Sequence, residues 1–591
     1  MAEENFEFSW ENPQYRKTYW HTCSHILAQA VKRLYPEVKL AIGPSIDNGF
    51  YYDMDSPFAF TPEIMDKIEE EMRKICKEKL PLQRFVLPRP EAIKYMEEKG
   101  EPYKVELIND LPEDEEISFY TQGEFTDLCA GPHVDSTGRI KANAIKLTAC
   151  NAAYWRGDSS RETLQRIYGI AFPKKEQLDE YLVKLEEAKA RDHRKLGKEL
   201  GLFMVDDLVG KGMPMFLPKG YTVWRILENY IRDKEISQGY QHVLTPCVGT
   251  VNLYKTSGHW DHYQQNMFPP MEVEDEVYVL RPMNCPHHMR IFANSQHSYR
   301  NMPVRIGEIA HDFRFEASGS LKGIERGRHF CQNDAHLFVT PEQIKEEFSR
   351  VVDMIFDTYK DFNITDYRCV LSLRDPADKK KYHDDDQMWN TAENALREVL
   401  NDLGLKYTEE IGEAAFYGPK LDVNVVPAVG AEYTLSTCQL DFCLPARFNL
   451  TYVDKDGVER TPVVLHRAIL GSLDRFMAYL IEETKGAFPA WLAPVQVKLL
   501  PVTDRANAYC EDYAAKLERK GFRVEVDDRN EKIGKKIREG QLEKVPFMVI
   551  VGDRDIENNT VSPRDRVEGD LGAMSKDAFI ELLTKVVEEK R

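Results

Sequence analysis

Cysteine and histidine residues near the start of the chain have spacings that suit either a metal site or a hydrolytic site. His21 and His25 are four residues apart, so on a helix both imidazoles lie on one face. Cys129 and His133 are also four apart, and the Gly-Pro between them favours a turn or loop. Two such pairs are typical of a structural zinc site. We call His21, His25, Cys129 and His133 the first set. Together with the nearby carboxylate of Asp127, they would equally well exchange protons with water without a metal, so both hypotheses stay open.

A second set of possible metal ligands, Cys285, His336 and His466, is dispersed over the chain. Its members are too far apart for a spacing rule to identify them. Three protein ligands and an open fourth position would nevertheless suit a zinc ion that binds a substrate, in contrast to one that only stabilises the fold.

Residues beside the second set favour nucleotide chemistry. Arg314 and Glu316 are two apart, so on a strand they face the same side, where the arginine would bind a phosphate and the glutamate accept from an exocyclic amine. The segment from Gly471 to Arg475 follows an apolar strand and opens a helix, which would project Arg475 across a planar ring. An isolated Arg-x-Glu pair is usually structural, whereas this ordered set is more specific.

Composition predicts a soluble protein of several domains. A chain of 591 residues with 42% hydrophobic content is too long for one core and should divide into roughly three or four domains. The net charge of -19 argues against indiscriminate binding to nucleic acid or membrane, so an RNA partner would need a locally basic face. The 11 scattered cysteines favour a reducing compartment. Because no leader or membrane-length apolar run is present, we expect a cytoplasmic protein without a membrane partner.

Changes of pattern along the chain predict its organisation. Residues 1–172 mix helix and strand signals and contain the first set. Residues 173–202 are highly charged with apolar residues at helical spacing, which predicts an exposed connecting helix. Residues 203–490 indicate a mixed, mostly antiparallel sheet with helices, and residues 491–591 alternate strand and helix as in a small α/β domain. The predicted fold class is multidomain, combining α+β and α/β.

Three segments resemble the signature motifs of class II aminoacyl-tRNA synthetases. They are the segment ending at Pro246 after a long helix, the region of Arg314 and Glu316, and the segment from Gly471 to Arg475. Further motifs along essentially the whole chain are similar to bacterial-type threonyl-tRNA synthetases: residues 21–25, 42–44, 129–133, 154–158, 282–286, 333–336, 415–420, 439–442, 466–471 and 491–494. The resemblance implies an antiparallel-sheet catalytic core, an N-terminal α+β editing domain (1–172), a linker helix (173–202) and a C-terminal α/β anticodon-binding domain (491–591).

The resemblance also implies the reaction of the core. One zinc ion per subunit, held by Cys285, His336 and His466, would bind L-threonine through its amino group and hydroxyl. ATP would bind with Mg²⁺, and attack of the threonine carboxylate on the α-phosphate would give threonyl-adenylate and pyrophosphate. The terminal adenosine of tRNA(Thr) would then take the threonyl group. Arginines and a metal ion suffice for such chemistry. The implied residues are Arg314, Lys420 and Arg475 (catalytic), Arg314, Glu316, Arg326, Phe330, Gln332, Thr437, Ser472 and Arg475 (ATP), and Asp334, Tyr417 and Gln332 (threonine).

Selection of threonine by its hydroxyl creates a need for editing. Such a site rejects valine, but serine keeps both ligating groups and lacks only a methyl group, worth about 1–3 kcal/mol in an apolar pocket. The resemblance therefore implies that the first domain hydrolyses mischarged seryl-tRNA without a metal. The residues matching that editing site are His21, His25, Lys104, Asp127, Cys129 and His133.

The last domain resembles an anticodon-binding domain. The implied base or phosphate contacts are Asn530, Arg538, Asp555 and Arg564. Because basic and acidic residues are interleaved in this segment, a solvated helix is the alternative. A homodimer formed through the first signature motif is implied by the family.

The sequence departs from the family pattern in places. Family members commonly carry a further small domain ahead of the editing domain, and without it we expect editing and charging to survive. Thr434, Phe315 and Ala317 differ from the residues usual at their positions, so nucleotide contacts should change modestly. The alternatives from other classes are an RNA-binding regulator on a synthetase fold and a free-standing zinc hydrolase that uses the first set. The complete nucleotide-binding set speaks against both.

Overall fold

The computed structural model describes residues 9–158, 160–427 and 430–591. Contacts along the chain divide it into two compact units, the first ending at Glu186 and the second beginning at Glu187. Within the described residues, no helix has the length and apolar character needed to cross a membrane.

The first unit is built from two antiparallel sheets and packed helices. Its elements are α1 (Pro13–Leu34), β1 (Lys39–Leu40), β2 (Ser45–Ile46), β3 (Gly49–Asp55), α2 (Pro62–Glu78), β4 (Leu82–Val86), α3 (Arg89–Glu98), α4 (Pro102–Asp110), β5 (Ser118–Gln122), β6 (Phe125–Leu128), β7 (Ile145–Tyr154) and β8 (Thr163–Ala171). Helix α5 (Lys175–Arg191) begins in this unit and continues past its last residue, Glu186. The larger sheet has the order β1-β3-β8-β7, with β2 paired to β3, and the smaller sheet has the order β4-β5-β6.

Helix α1 is central to this unit because it packs on both β3 and α2. It begins after Asn12, whose side chain accepts from a backbone N–H of the first turn, and proline occupies the first helical position. His21 and His25 therefore lie on one face of one helix, as predicted. Cys129 and His133 follow β6 in a loop, also as predicted.

The predicted single connecting helix is wrong in one respect, since two helices occupy this segment. Helix α5 is followed by α6 (His193–Glu199). Asp192 leaves the helical conformation between them, and its side chain accepts from the N–H of Arg194. A capping aspartate in a charged helical pattern thus starts a new helix.

The second unit contains an eight-stranded sheet. The elements up to residue 484 are α6 (His193–Glu199), β9 (Phe203–Met204), β10 (Met215–Phe216), α7 (Pro218–Ser237), β11 (Gln241–His242), β12 (Val248–Thr250), α8 (Val251–Ser257), α9 (His259–Tyr263), β13 (Met271–Val273), β14 (Glu276–Leu280), α10 (Cys285–Phe292), β15 (Val304–Phe313), β16 (His329–Val339), α11 (Ile344–Asp361), β17 (Tyr367–Leu373), α12 (Asp386–Asp402), β18 (Tyr407–Ile411), β19 (Lys420–Val425), β20 (Tyr433–Asp441), α13 (Cys443–Arg447), β21 (Tyr452–Val453), β22 (Glu459–Arg460), β23 (Val463–Ser472) and α14 (Leu473–Thr484). The order is β11-β15-β16-β23-β20-β19-β17-β18, antiparallel except at both edges.

The pairing of β16 with β23 brings distant residues together. His336 lies directly opposite His466 in this antiparallel pair. Opposite side chains on one face of such a pair are neighbours, with Cβ atoms about 4.5–5.5 Å apart. Helices α11 and α14 pack against these strands. Two members of the dispersed second set are thus adjacent because of sheet register.

The end of the chain forms a smaller α/β arrangement. Its elements are β24 (Val497–Pro501), α15 (Asn507–Arg519), β25 (Val524–Val526), α16 (Ile533–Leu542), β26 (Phe547–Val551), α17 (Asp553–Asn558), β27 (Thr560–Asp565), β28 (Gly569–Asp570), β29 (Met574–Ser575) and α18 (Lys576–Glu588). Strand β24 runs parallel to β25 and β26, and β27 continues antiparallel. The predicted fold class is confirmed, while the bounds 1–172, 173–202, 203–490 and 491–591 stay predictions.

Candidate active site, metal centre and editing site

A cavity of about 1020 Å³ lies on the face of the eight-stranded sheet that carries His336 and His466. Most of the residues predicted for activation line it. They are Cys285, Arg314, Gln332, Asp334, His336, Tyr417, Lys420, Thr437 and His466. The structure therefore brings together the second set and the phosphate-binding and threonine-binding candidates.

The second set converges at this cavity. Cys285 is the first residue of α10, and its ligand atom and those of His336 and His466 lie within 4.8 Å of one another. The three residues are 2%, 0% and 5% exposed. Burial lowers the pKa of His336 well below its usual range, so the imidazole is neutral and able to ligate. Its Nε2 has no hydrogen-bond partner among the described residues, which a metal ion would supply.

Carboxylates orient the two imidazoles of the second set. Nε2 of His466 lies 2.8 Å from Oδ2 of Asp441. The other oxygen of Asp441 accepts from the backbone N–H groups that open α13. Nδ1 of His336 lies 2.8 Å from Nδ1 of His288, which contacts Glu308. Sequence reasoning missed these partners, although His288 follows Cys285 by one helical turn and so carried a local signal.

The prediction that Arg314 and Glu316 lie on a strand is wrong. Strand β15 ends at Phe313, and the N–H of Glu316 donates to the carbonyl of Arg314 at 3.0 Å, which marks a turn. The guanidinium of Arg314 lies 4.9 Å from the ring centre of Phe330. The carboxylate of Glu316 is 3.0 Å from the guanidinium of Arg326. The residues are close together as expected, but in a loop at the side of the cavity.

The predicted strand-to-helix transition at Ser472 is confirmed. Strand β23 ends at this residue, and its hydroxyl oxygen accepts from the N–H of Arg475 at 3.2 Å, which caps α14. The Arg475 side chain donates to the carbonyl of Glu325 at 3.3 Å, and its charge acts on those of Arg314 and Arg326. Arg475 therefore lies near Arg314 and Arg326, the two arginines predicted to bind phosphates.

Threonine-binding candidates surround the second set. The Tyr417 hydroxyl donates to Gln439 at 2.5 Å, and its ring stacks on that of His466 at 4.8 Å between centres. A carboxylate oxygen of Asp334 is 3.8 Å from Nε2 of His336. Lys420 pairs with Asp422 on the same strand.

An unpredicted carboxylate also lines the cavity. Burial raises the pKa of Asp312 to about 7, against the opposing charges of Arg281 and Arg314. No signal in the sequence pointed to Asp312, because its side chain comes to line the cavity only when its strand pairs with the rest of the sheet.

Two of the three residues that depart from the family pattern have contacts nearby. The ring of Phe315 lies 5.2 Å from the guanidinium of Arg328, and the hydroxyl of Thr434 donates to Asn424 at 2.8 Å.

The first set converges just as closely. Its four ligand atoms lie within 4.8 Å of one another. Sγ of Cys129 is 3.3 Å from Nε2 of His21 and 3.2 Å from Nε2 of His133. The imidazoles of His25 and His133 are 4.1 Å apart between ring centres. Convergence alone does not separate a zinc site from a hydrolytic site here.

Lys104 and Asp127 lie beside the first set as a buried ion pair. Nζ of Lys104 is 2.6 Å from Oδ1 of Asp127, and both residues are 3% exposed. The hydroxyl of Tyr52 accepts from Lys104 at 2.9 Å and donates to Asp127 at 2.5 Å. Nε2 of His25 is 3.8 Å from the same carboxylate. Tyr52 was not predicted, since a buried tyrosine in a strand is ordinary in sequence.

Hydrogen bonds define where the protons lie in the first set. Nδ1 of His21 is 3.2 Å from the carbonyl of Pro132, so it carries the hydrogen and leaves Nε2 free toward Cys129. Nδ1 of His133 is 3.1 Å from the hydroxyl of Thr22, whose own hydrogen goes to a backbone carbonyl one turn earlier. Burial lowers the pKa of both histidines. Two neutral imidazoles therefore aim basic nitrogens at one place.

The anticodon candidates differ in their surroundings. Asn530 and Arg538 are exposed, and Arg564 is partly exposed on β27. Asp555 is 9% exposed, and its carboxylate accepts from the N–H of Gly552 and from two hydroxyls of β27. The carboxylate of Asp555 is therefore engaged within its own domain.

Comparison with known proteins first defines the class. Residues 271–484 match the family described as tRNA synthetase class II core domain (G, H, P, S and T). Residues 496–586 match Anticodon binding domain, and residues 117–168 match Threonyl and Alanyl tRNA synthetase second additional domain. Fold and site are those of a class II aminoacyl-tRNA synthetase.

Individual relatives narrow this class. Threonine--tRNA ligase of Geobacillus sp. (strain WCH70) is 58% identical over 567 residues, which is 95% of this chain and 87% of the relative. Threonine--tRNA ligase 1 of Bacillus subtilis (strain 168) is 54% identical, with coverage of 95% and 87%. The RNA binding domain of threonyl-tRNA synthetase from Cryptosporidium parvum Iowa II has a TM-score of 0.64 at 36% identity, covering 67% of this chain and 98% of that one. The chain belongs to the threonine–tRNA ligase family.

The predicted family, fold and reaction are thereby confirmed. The enzyme is a threonine–tRNA ligase, and the matched second additional domain supports an editing function in the first unit. The structure also contains clusters of cysteine and histidine residues able to hold a metal ion. The roles of individual residues stay predictions.

Proposed function

We propose that the chain activates L-threonine with Mg²⁺-ATP beside a zinc ion held by Cys285, His336 and His466, and that it removes serine from mischarged tRNA(Thr) at the first set. The observation that carries the first part is Nε2 of buried His336, which has no hydrogen-bond partner within the described part of the chain and lies in a cluster of three ligand atoms within 4.8 Å of one another. These residues border the same cavity as Arg314.

The second set fits zinc by its chemistry. One thiol and two imidazoles are ligands that zinc prefers, and three protein ligands leave a position for substrate. Asp441 orients His466 from outside, as is usual for histidine ligands of metals. When bound, the ion would supply a Lewis acid for the amino and hydroxyl groups of threonine. Asp334, close to His336, is placed to accept the substrate hydroxyl proton in a hydrogen bond.

Nucleotide binding would rearrange one ion pair. Glu316 and Arg326 are paired in this structure, and the arginine side chain is 53% exposed. Such exposed pairs contribute at most about 1 kcal/mol, so ATP can separate them at little cost. The glutamate is then free to accept from the adenine amine, and the arginine to contact outer phosphates. Mg²⁺ would accompany those phosphates.

Positive charges near the cavity would carry the activation step. Arg314 and Lys420 line it, and Arg475 lies beside it. As the threonine carboxylate attacks the α-phosphorus and pyrophosphate leaves with the bridging oxygen, charge develops on the phosphate oxygens, and fixed cations stabilise that charge. This chemistry is mainly positioning and electrostatics, so a protein nucleophile is unnecessary.

Editing would use the neutral imidazoles of the first set. The Nε2 lone pairs of His21 and His133 both face the thiol of Cys129, which can donate to only one of them, so the other could take a proton from an attacking water. Lys104 brings a positive charge near the carboxylate of Asp127 and close to any anionic tRNA end. No metal is needed for this hydrolysis.

The proposal extends to recognition and assembly. Asn530, Arg538 and Arg564 would contact the anticodon of tRNA(Thr), while Asp555 would hold the shape of the domain through its internal hydrogen bonds. A homodimer through the first signature motif and a cytoplasmic location complete the proposal.

Amino-acid-dependent exchange of pyrophosphate into ATP tests the activation site. We expect exchange with threonine, weaker exchange with serine and almost none with valine, because valine would leave the hydroxyl position unfilled. Equal activity with valine and threonine would contradict selection through a hydroxyl. Hydrolysis of added seryl-tRNA(Thr), with threonyl-tRNA(Thr) as the control substrate, tests the editing half separately.

A further inference from the structure

His288 and Glu308 form a buried hydrogen-bonded chain that ends on His336. Nδ1 of His288 lies 2.8 Å from Nδ1 of His336, and Nε2 of His288 lies 3.1 Å from Oε2 of Glu308. The three residues are at most 1% exposed. Because burial shields these bonds from solvent, the three residues share their hydrogens with one another.

Glu308 is held as a carboxylate that can only accept. It accepts from the N–H of Thr245 at 2.8 Å and from the side-chain amide of Asn284 at 3.2 Å. Burial disfavours its charge, but the bond from His288, the Arg281 charge and the Thr245 N–H outweigh burial and hold the pKa at about 2. The chain of hydrogen bonds therefore begins at a fixed negative acceptor.

With His288 neutral, only one proton arrangement satisfies this chain. Because Glu308 accepts, Nε2 of His288 must donate. A neutral His288 then has a lone pair on Nδ1, so Nδ1 of His336 must carry its hydrogen. The remaining nitrogen of His336, Nε2, is left with a lone pair, and this is the atom without a hydrogen-bond partner among the described residues.

We infer that Glu308 and His288 are positioning residues that hold His336 in the tautomer whose Nε2 faces the metal ion. This inference rests on the proposed zinc site. His466 is oriented differently, because Asp441 contacts it directly through Nε2 and leaves Nδ1 for the ion. The two imidazoles of one metal centre thus present different nitrogens, one through a direct carboxylate and the other through an intervening histidine.

Loss of the carboxylate should weaken the metal site without touching a ligand. In Glu308→Gln the amide can donate to Nε2 of His288, which would reverse the chain and place a hydrogen on Nε2 of His336. A ring protonated there cannot ligate. Substitutions of outer partners of metal-binding histidines typically lower metal affinity about 10–100-fold.

The test measures zinc affinity of the full chain by chelator competition, with the visible spectrum of the Co²⁺-substituted protein as the second readout. We expect Glu308→Gln and His288→Ala to weaken zinc binding about 10–100-fold and to alter the Co²⁺ ligand-field bands. The control is Glu347→Gln, which removes a buried carboxylate 2.6 Å from Arg305 without contact to this chain of residues. It should lower stability and leave both readouts unchanged.

The outcomes separate this inference from the proposed function. If the wild-type chain retained no zinc, or if the Cys285→Ser variant kept its zinc, the proposed metal site itself would be wrong. A wild-type chain with one zinc lost in Cys285→Ser, together with wild-type affinity and spectrum in both Glu308→Gln and His288→Ala, would overturn the positioning role alone. Equal weakening in Glu347→Gln would also overturn it, because general destabilisation would then explain the loss.

Discussion

The first and second sets each bring cysteine and histidine ligand atoms within 4.8 Å of one another, yet different groups orient their imidazoles. In the second set, the outer partner of His466 is the carboxylate of Asp441, and that of His336 leads to the carboxylate of Glu308. In the first set, the outer partners of His21 and His133 are a carbonyl and a hydroxyl. The outer partners in the second set therefore lead to negatively charged carboxylates, whereas those of His21 and His133 in the first set are neutral.

Charge also differs immediately beside the two sets. Beside the second set, Asp334 adds a carboxyl group whose pKa burial raises well above its usual range, so the negative charge there comes from Asp441 and Glu308. The carboxylate nearest the first set, Asp127, is paired with Lys104 at 2.6 Å. Negative surroundings favour a dication, and a neutralised site with basic nitrogens favours proton transfer to and from water. We therefore propose that similar ligand spacing serves two chemistries and that the outer partners decide between them.

The largest expected effect comes from the thiols. Cys285→Ser should remove the zinc and lower threonine-dependent pyrophosphate exchange about 10³-fold or more, because a metal supplies several kcal/mol of charge stabilisation. Cys129→Ser should keep both zinc and exchange. Metal analysis of the two purified variants beside the wild type checks this. Zinc lost from Cys129→Ser instead would reverse the comparison and assign the metal to the first set.

The next effect is on editing. His21→Ala should slow hydrolysis of seryl-tRNA(Thr) at least about 100-fold, as expected when a general base is removed, and leave threonine activation intact. The measurement is release of serine from seryl-tRNA(Thr), with pyrophosphate exchange by the same preparation as the internal control. Unchanged hydrolysis in both His21→Ala and His25→Ala would exclude the first set as the editing site.

Local signals explain which parts of these sites were predictable. The helix that carries His21 and His25 has its cap, its proline and its apolar pattern within a few residues. The second set has no such signal, because His336 and His466 meet only through the register of β16 and β23. Register is decided by burial over the whole sheet, so only resemblance to a family could identify this set from sequence.

The strand assignment of Arg314 and Glu316 failed for the same physical reason. A two-residue alternation is compatible with a strand, but the N–H of Phe315 donates to the carbonyl of Asn266, a distant residue that holds the segment in a loop. The contacts of His288 and Glu308 likewise form only because helix α10 and strand β15 lie next to each other in the folded chain. Residue types could be predicted where chemistry requires them, but hydrogen-bond partners from remote elements could not.

The rate of hydrolysis at the first set should depend on pH. Below the midpoint of the rate profile, the rate should fall about tenfold per pH unit, as expected when one basic group takes up a proton. Burial lowers the pKa of His21, His25 and His133, so hydrolysis should stay constant as pH falls past the ordinary histidine value of about 6.5 and decline only below it. The unfolded chain binds protons first, so this unit also loses stability as pH falls below about 6.5. A rate profile of seryl-tRNA(Thr) hydrolysis, with its midpoint compared to 6.5, checks the direction.

The smallest expected effect tests whether neutral outer partners matter less than charged ones. Thr22→Val removes the hydroxyl that accepts from Nδ1 of His133 and from the backbone N–H of Val134, and it keeps the side-chain shape. A neutral hydrogen bond contributes about 0.5–1.5 kcal/mol, so editing should slow about 2–10-fold. Thr18→Val, whose hydroxyl only donates to a carbonyl of the same helix, is the matched control and should edit normally. The charged counterpart in the second set is Asp441→Asn, which removes the carboxylate that orients His466 and should lower zinc affinity about 10–100-fold. If Thr22→Val abolished editing, a neutral oxygen would orient an imidazole as strongly as a carboxylate, and charge would no longer explain how the two sets differ.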